Sequence, residues 1–163
     1  MKNHMKVLCT LLGGALLACS MRVHASNVAI MSWSLLDSGK HLDWDGTSEY
    51  LSYFQSGVDT WNDYKPGVIR QDSWNTIEDV AISDYYEQNS VSGYTDKAGM
   101  ICFNKYNMSR YSSAEKQHTC THELGHALGL AHNQFGDIMY AELTYHTVLS
   151  ENDKASYDAS YNR

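Results

Sequence analysis

The eleven residues His122-Glu123-Leu124-Gly125-His126-Ala127-Leu128-Gly129-Leu130-Ala131-His132 fill the spacing H-E-x-x-H-x-x-G-x-x-H at every specified position. On a helix, residues four apart share a face, so His122 and His126 present two imidazoles to one point. Neutral imidazole is a good Zn²⁺ ligand at about 2.0–2.1 Å. Gly129 falls where the chain must turn sharply to bring His132 back as a third ligand, and a residue without Cβ turns through positive φ at little cost. Three protein ligands leave a fourth position for water, the arrangement of a catalytic rather than a structural zinc site. Glu123 directly follows the first ligand and is placed to hold that water. A lone His-x-x-x-His would read as two satisfied helix histidines; the complete constellation outweighs that reading. Asp137-Ile138-Met139-Tyr140 follows shortly after. Met139 is the candidate for a tight turn beneath the histidines, although alone it would be an ordinary core methionine.

These residues need elements to position them. Ser112-x-x-Glu115 is a capping-box start for a helix that runs to Leu128 and stops at Gly129. Upstream, Thr47 or Ser48 is expected to cap a helix reaching about Tyr64, with Leu51, Phe54, Val58 and Trp61 as its apolar stripe. Pro66-Gly67 ends it. The stretches 41–44, 68–72, 77–83 and 100–104 read as short strands. Ser150-x-x-Asp153 is a further capping box and opens a C-terminal helix. No repeat, low-complexity tract or linker interrupts the chain. The order predicts a small α/β layer with the second long helix beneath the sheet.

The 163 residues are 43% hydrophobic with a single proline, which is globular composition in one domain. The N-terminus reads as an export signal over residues 1–25: a basic start, an apolar run over 7–18 too short to span a bilayer, and Val23-His24-Ala25 before a cleavage point at Ser26. A rival reading takes Leu16-Leu17-Ala18-Cys19 as a lipobox, with Cys19 lipid-anchored on the outer face of the cell membrane. Both readings place the protein outside the cytoplasm. Lys2, Lys6 and Arg22 are three of the 12 basic residues, and no acid precedes Ser26, so residues 26–163 carry 9 basic and 19 acidic residues, a net charge of −10. Such a chain repels phosphate backbones and anionic membranes, which argues against a nucleic-acid partner and favours basic or neutral substrates. Beyond the signal two cysteines remain, Cys102 and Cys120. In an oxidising compartment a bridge between them is expected, with two buried thiols as the alternative.

The stretch His122 to Tyr140 resembles the metzincin metallopeptidases, most closely small bacterial matrixin-like enzymes. Residues 100–104 and Ser150-x-x-Asp153 also look like matrixin counterparts, so the resemblance covers roughly the last 65 residues well and the earlier part only in the order of its elements. It implies a zincin-like α+β fold: a small twisted mixed sheet, with an active-site helix and a C-terminal helix flanking a zinc cleft. It divides the single catalytic domain 26–163 into an upper part of about 26–128 and a lower part of about 129–163. It implies a monomeric, secreted zinc endopeptidase in which Glu123 activates a zinc-bound water for attack on a peptide or protein substrate. By the same analogy Met139 forms the Met-turn, substrate adds as a strand to an edge at 91–95, and Tyr140, Tyr145 and His146 border the substrate pocket. Ala141 stands where astacin-like relatives carry a tyrosine that approaches the metal and where matrixins carry proline, so no tyrosine ligand is expected.

Other features take plainer readings. His118 is expected on the surface. Asp43-x-Asp45-Gly46 with Glu49 lacks the EF-hand spacing and reads as a turn and helix cap. A structural Ca²⁺ stays open, with no ligands assigned. Two competing functions stay open as well: a zinc-containing module that binds peptide without cleaving it, and a metal-dependent hydrolase of a non-peptide amide.

Overall fold

The computed structural model describes residues 26–74 and 77–163; the export signal and the Cys19 anchor expected from the sequence lie outside them. The elements run β1 (Leu42–Gly46), α1 (Leu51–Tyr64), β2 (Ile69–Gln71), β3 (Val80–Tyr85), β4 (Gly93–Thr95), β5 (Met100–Asn104), α2 (Lys105–Met108), α3 (Ser113–Ala127) and α4 (Glu151–Tyr161). The fold is mixed α/β. Its five-stranded sheet has the order β2-β1-β3-β5-β4. β1, β2, β3 and β5 are parallel, and β4 joins β5 antiparallel, leaving β4 at one edge.

Side chains alternate across a strand, and the core follows that rule. Ile101 and Phe103 of β5 join Val80 and Ile82 of β3 in one apolar cluster with Phe54, Val58 and Trp61 of α1 and Cys120 and Leu124 of α3. The predicted apolar stripe of α1 is the one that faces the core. Gly57 sits where α1 meets α3: a Cβ there would lie 3.1 Å from the Thr121 backbone, so the missing side chain sets how closely the helices approach. Trp61 spans that junction, donating its indole N–H to the Thr121 carbonyl at 2.9 Å. Its ring meets Tyr157 of α4 edge-on at 5.3 Å, which ties the C-terminal helix to the same core.

Three expectations are corrected. Helix α1 starts at Leu51, with Tyr50 at its cap position and no side-chain cap. The Ser48 hydroxyl instead donates to Asp84 of β3 at 2.6 Å, and the Glu49 N–H donates to the same carboxylate, so that stretch is tied to the sheet. Cys102 and Cys120 are free and buried, so the expected bridge is not formed. Cys120 lies in the core beneath the sheet with Ile101 and Phe103, whereas Cys102 alternates to the other face of β5, where its sulfur contacts the Ser83 hydroxyl at 3.2 Å. His118 is buried, 2% exposed, where the surface was expected. The short helix α2 was not anticipated; Asn104 caps it, its side chain accepting from the Tyr106 N–H. Among the described residues no helix is long and apolar enough to cross a membrane.

Candidate metal centre

Helix α3 carries the site. Its start is the predicted capping box, Ser112 with Glu115, and both reciprocal hydrogen bonds are made. Its end is built by Gly129 at φ 91°. The Gly129 N–H bonds the His126 carbonyl and the Leu130 N–H bonds the Gly125 carbonyl, each at 2.9 Å, the paired closure of a Schellman turn. The chain leaves the helix axis there and returns His132 to the face that carries His122 and His126. One nitrogen from each of the three rings lies within 4.8 Å of the other two. The Nε2 atoms of His126 and His132 are 3.2 Å apart. Two nitrogens held at about 2.0–2.1 Å on a tetrahedral ion stand about 3.3 Å apart, so this edge already has the right length for zinc.

The remaining ring nitrogens fix the tautomers. His122 Nδ1–H donates to the Ile138 carbonyl at 2.8 Å, and His126 Nδ1–H donates to the Leu130 carbonyl at 2.9 Å. A carbonyl only accepts, so Nδ1 carries the proton in both rings and each Nε2 keeps its lone pair for a metal. Burial, with the neighbouring imidazole of His126, pushes the His122 pKa down to about 3. Burial likewise pushes His126 down to about 4 and lowers His132. The rings are therefore neutral at pH 7, the form that ligates.

Beneath them, Met139 is almost fully buried against α3. A Cβ on Gly125 would collide with its sulfur, so the glycine between His122 and His126 is what lets the turn approach. The turn is held from α4. Asp153, fully buried, accepts from the Ile138 N–H at 2.9 Å and from the Met139 N–H at 3.1 Å, while the Ser150 N–H closes the capping box on the same carboxylate. Nothing local in the sequence identified Asp153 as the anchor of a turn fourteen residues earlier.

Glu123 is buried beside the histidines, and β4 supports it from across the cleft. Thr95 Oγ1 donates toward Glu123 Oε2 at 2.8 Å and lies 2.9 Å from the Glu123 carbonyl. Gly93 adds no side chain where Glu123 passes; a Cβ there would lie 3.3 Å from its Cγ. Among the described residues Oε1 carries no hydrogen bond. Burial pushes the Glu123 pKa up to about 7, and the Thr95 hydroxyl pulls against that rise. Thr95 was read in sequence only as part of an edge strand.

A cleft of about 880 Å³ runs over this group, between the β4 edge at Ser92–Thr95 and the segment Tyr140–Leu143. Tyr140 lines it, and Tyr145 and His146 are not among its lining residues. Tyr145 is 72% exposed. The His146 carbonyl instead accepts from His118 Nδ1–H at 2.9 Å. His118 lines the cleft one turn before His122, with the Thr144 hydroxyl 3.3 Å from its ring. A second group, Asp37, Asp43 and Asp79, also converges. Arg70 holds both Asp43 oxygens at 2.7 Å, Asp79 accepts the Asp43 N–H, and Asp37 accepts the His41 N–H.

No protein-family model matches the chain, and no curated protein matches it. The site therefore rests on its own geometry.

Proposed function

We propose that this protein is a secreted zinc-dependent endopeptidase of the metzincin type, small and matrixin-like. One observation carries the reading. Three neutral imidazoles converge, two of them with the Nδ1 proton already bound to a carbonyl, and a buried glutamate stands beside them with one oxygen that carries no hydrogen bond among the described residues. The edge strand across the same cleft supports it, because a peptide can pair there with the unpaired side of β4 and satisfy its own backbone.

Held by the three Nε2 atoms, a zinc ion would polarise the scissile carbonyl and acidify a water toward neutral pH. His122 and His126 keep their lone pairs directed inward because Ile138 and Leu130 fix their ring planes. Thr95 restrains Oε2 of Glu123, which leaves Oε1 to take the proton of the attacking water. The water oxygen bonds the carbonyl carbon, the C–N bond breaks, and Glu123 passes the proton to the departing amine. No acyl-enzyme forms.

Cleavage of casein or a peptide library by the 26–163 fragment, abolished by a chelator and restored by Zn²⁺, is the expected result. Glu123→Ala should lower kcat by at least about 10²-fold while zinc stays bound. Stoichiometric zinc binding with no cleavage across a broad library would favour a peptide-binding module. Activity confined to peptidoglycan would favour a non-peptide amide as substrate.

A further inference from the structure

Two of the three candidate ligands are oriented through Nδ1; His132 is not. Among the described residues its ring has no hydrogen-bond partner beyond the His126 nitrogen that faces it. It is also the exposed member of the three. Its position must therefore come from the backbone that carries it, and that backbone has left helix α3 at Gly129.

The segment 27–31 lies along that backbone. Met31 N–H donates to the Gly129 carbonyl at 2.8 Å, and Ala131 N–H donates to the Ala29 carbonyl at 3.1 Å, closing an antiparallel bridge between Ile30 and Leu130. Beyond His132 the contact becomes reciprocal. Asn27 Nδ2 donates to Asn133 Oδ1 at 2.7 Å, and Asn133 Nδ2 donates to the Asn27 carbonyl at 2.8 Å. Both neighbours of His132 are thus tied to the same strap. The strap is fixed in turn to α4: Asn27 N–H donates to Asn152 Oδ1 at 2.8 Å, and Ala29 N–H to the Ser156 hydroxyl at 3.0 Å. On its inner side Asn133 N–H reaches the Met139 carbonyl at 2.7 Å. His132 therefore sits on a short span clamped between the strap and the Met139 turn.

We propose that Asn27 is a positioning residue for the third metal ligand: its side-chain amide and main-chain carbonyl together grip the Asn133 amide and hold His132 against His122 and His126. The strap does for His132, through the main chain, what the Ile138 and Leu130 carbonyls do directly for the other two rings. The inference rests on the metal reading of the site and not on what the loaded site cleaves.

The test is the zinc dissociation constant of Asn27→Ala, Asn133→Ala and the double variant, measured by competition with a chromophoric chelator. Partners that orient metal ligands typically contribute 10–100-fold in affinity, so each single variant should weaken zinc about 10-fold or more. Asn27→Ala removes only the bond to Asn133 Oδ1, whereas Asn133→Ala also removes the bond to the Asn27 carbonyl, so the double variant should match Asn133→Ala. The Co²⁺-substituted protein should lose its four-coordinate visible spectrum in the same variants. A merely structural role would instead lower the melting temperature of the metal-free protein and leave the affinity of the folded fraction alone. Asn152→Ala, which loosens the strap from α4, gives an independent reading should Asn27→Ala not fold. Zinc affinity within about twofold of wild type overturns the inference and leaves the metal reading standing. Wild-type protein that takes up no zinc overturns both, whereas zinc binding without cleavage overturns only the endopeptidase reading.

Discussion

Glu123 is held between two opposing influences. Burial favours its neutral form and pushes its pKa to about 7, while the Thr95 hydroxyl favours the carboxylate. In the proposed hydrolysis Glu123 is the general base and must be ionised, so activity should rise with pH across the glutamate titration. Thr95→Ala removes the stabilising donor and should move the acid limb of the kcat/KM profile to higher pH, with Thr95→Ser keeping the wild-type limb. A limb that does not move would separate Thr95 from the base. The histidines make a second pH prediction, for the metal-free protein. His122 and His126 have folded pKa values of about 3 and 4 against an ordinary 6.5. Below 6.5 the unfolded chain binds protons that the folded one refuses, so stability is lost as pH falls from 6.5 toward 4. Glu123 acts oppositely, its contribution being full below 4.5 and lost as pH rises through about 7. Two groups outweigh one. The melting temperature of the metal-free protein should therefore drop on acidification below 6.5, as thermal unfolding across a pH series would read out.

At the scale of elements, α3 does two jobs: its core face packs on α1 and the sheet, and its other face serves the three candidate ligands. The helix alone supplies two of them. The third depends on the turn at Gly129, and the floor depends on Met139, whose turn is tied to α4 by Asp153. Asp153 is fully buried, so removing its carboxylate strands the Ile138 and Met139 N–H groups. An orphaned buried donor costs roughly 1–3 kcal/mol, so Asp153→Ala should destabilise the fold by at least about 2 kcal/mol. The same change releases Ile138, whose carbonyl orients His122. Denaturant unfolding and zinc affinity should therefore weaken together. Asp153→Ala with wild-type stability would show that the turn holds itself.

Across the whole molecule the net charge is negative, and that field extends beyond the two positive charges a bound ion would set against the cleft carboxylates. The full chain carries a net charge of −7. The cleft is lined by Glu123 and Glu142, and no lysine or arginine is among its lining residues. Cationic peptides should be drawn in faster than anionic ones of matched length, and the difference should shrink as salt rises, because exposed charges are screened over about 10 Å at 0.1 M. Initial rates on a charged peptide series at two ionic strengths check this. Equal kcat/KM for both charges at low salt would sink it.

Much of the site was legible in the chain because its signals are local. The spacing of His122, Glu123, His126, Gly129 and His132 sets one helical face and one glycine turn, and both capping boxes lie within four residues of sequence. Strand 100–104 followed from its apolar run, whereas the edge near 91–95 came only from the resemblance. The register of pairing was not local. The bridge expected between Cys102 and Cys120 failed because β5 alternation sends the two sulfurs to opposite faces, which an even cysteine count does not reveal. His118 is expected on the surface because an open site needs no fourth protein ligand, yet residues 144–146 cover it. Thr95 beneath Glu123, Asp153 behind Met139 and Asn27 beside His132 come from segments 28, 14 and 105 residues away. Sequence by itself determined which three imidazoles converge, since helical geometry and one glycine suffice for that. Only the tertiary structure decided what holds them still, because those hydrogen bonds form between segments that packing alone brings together.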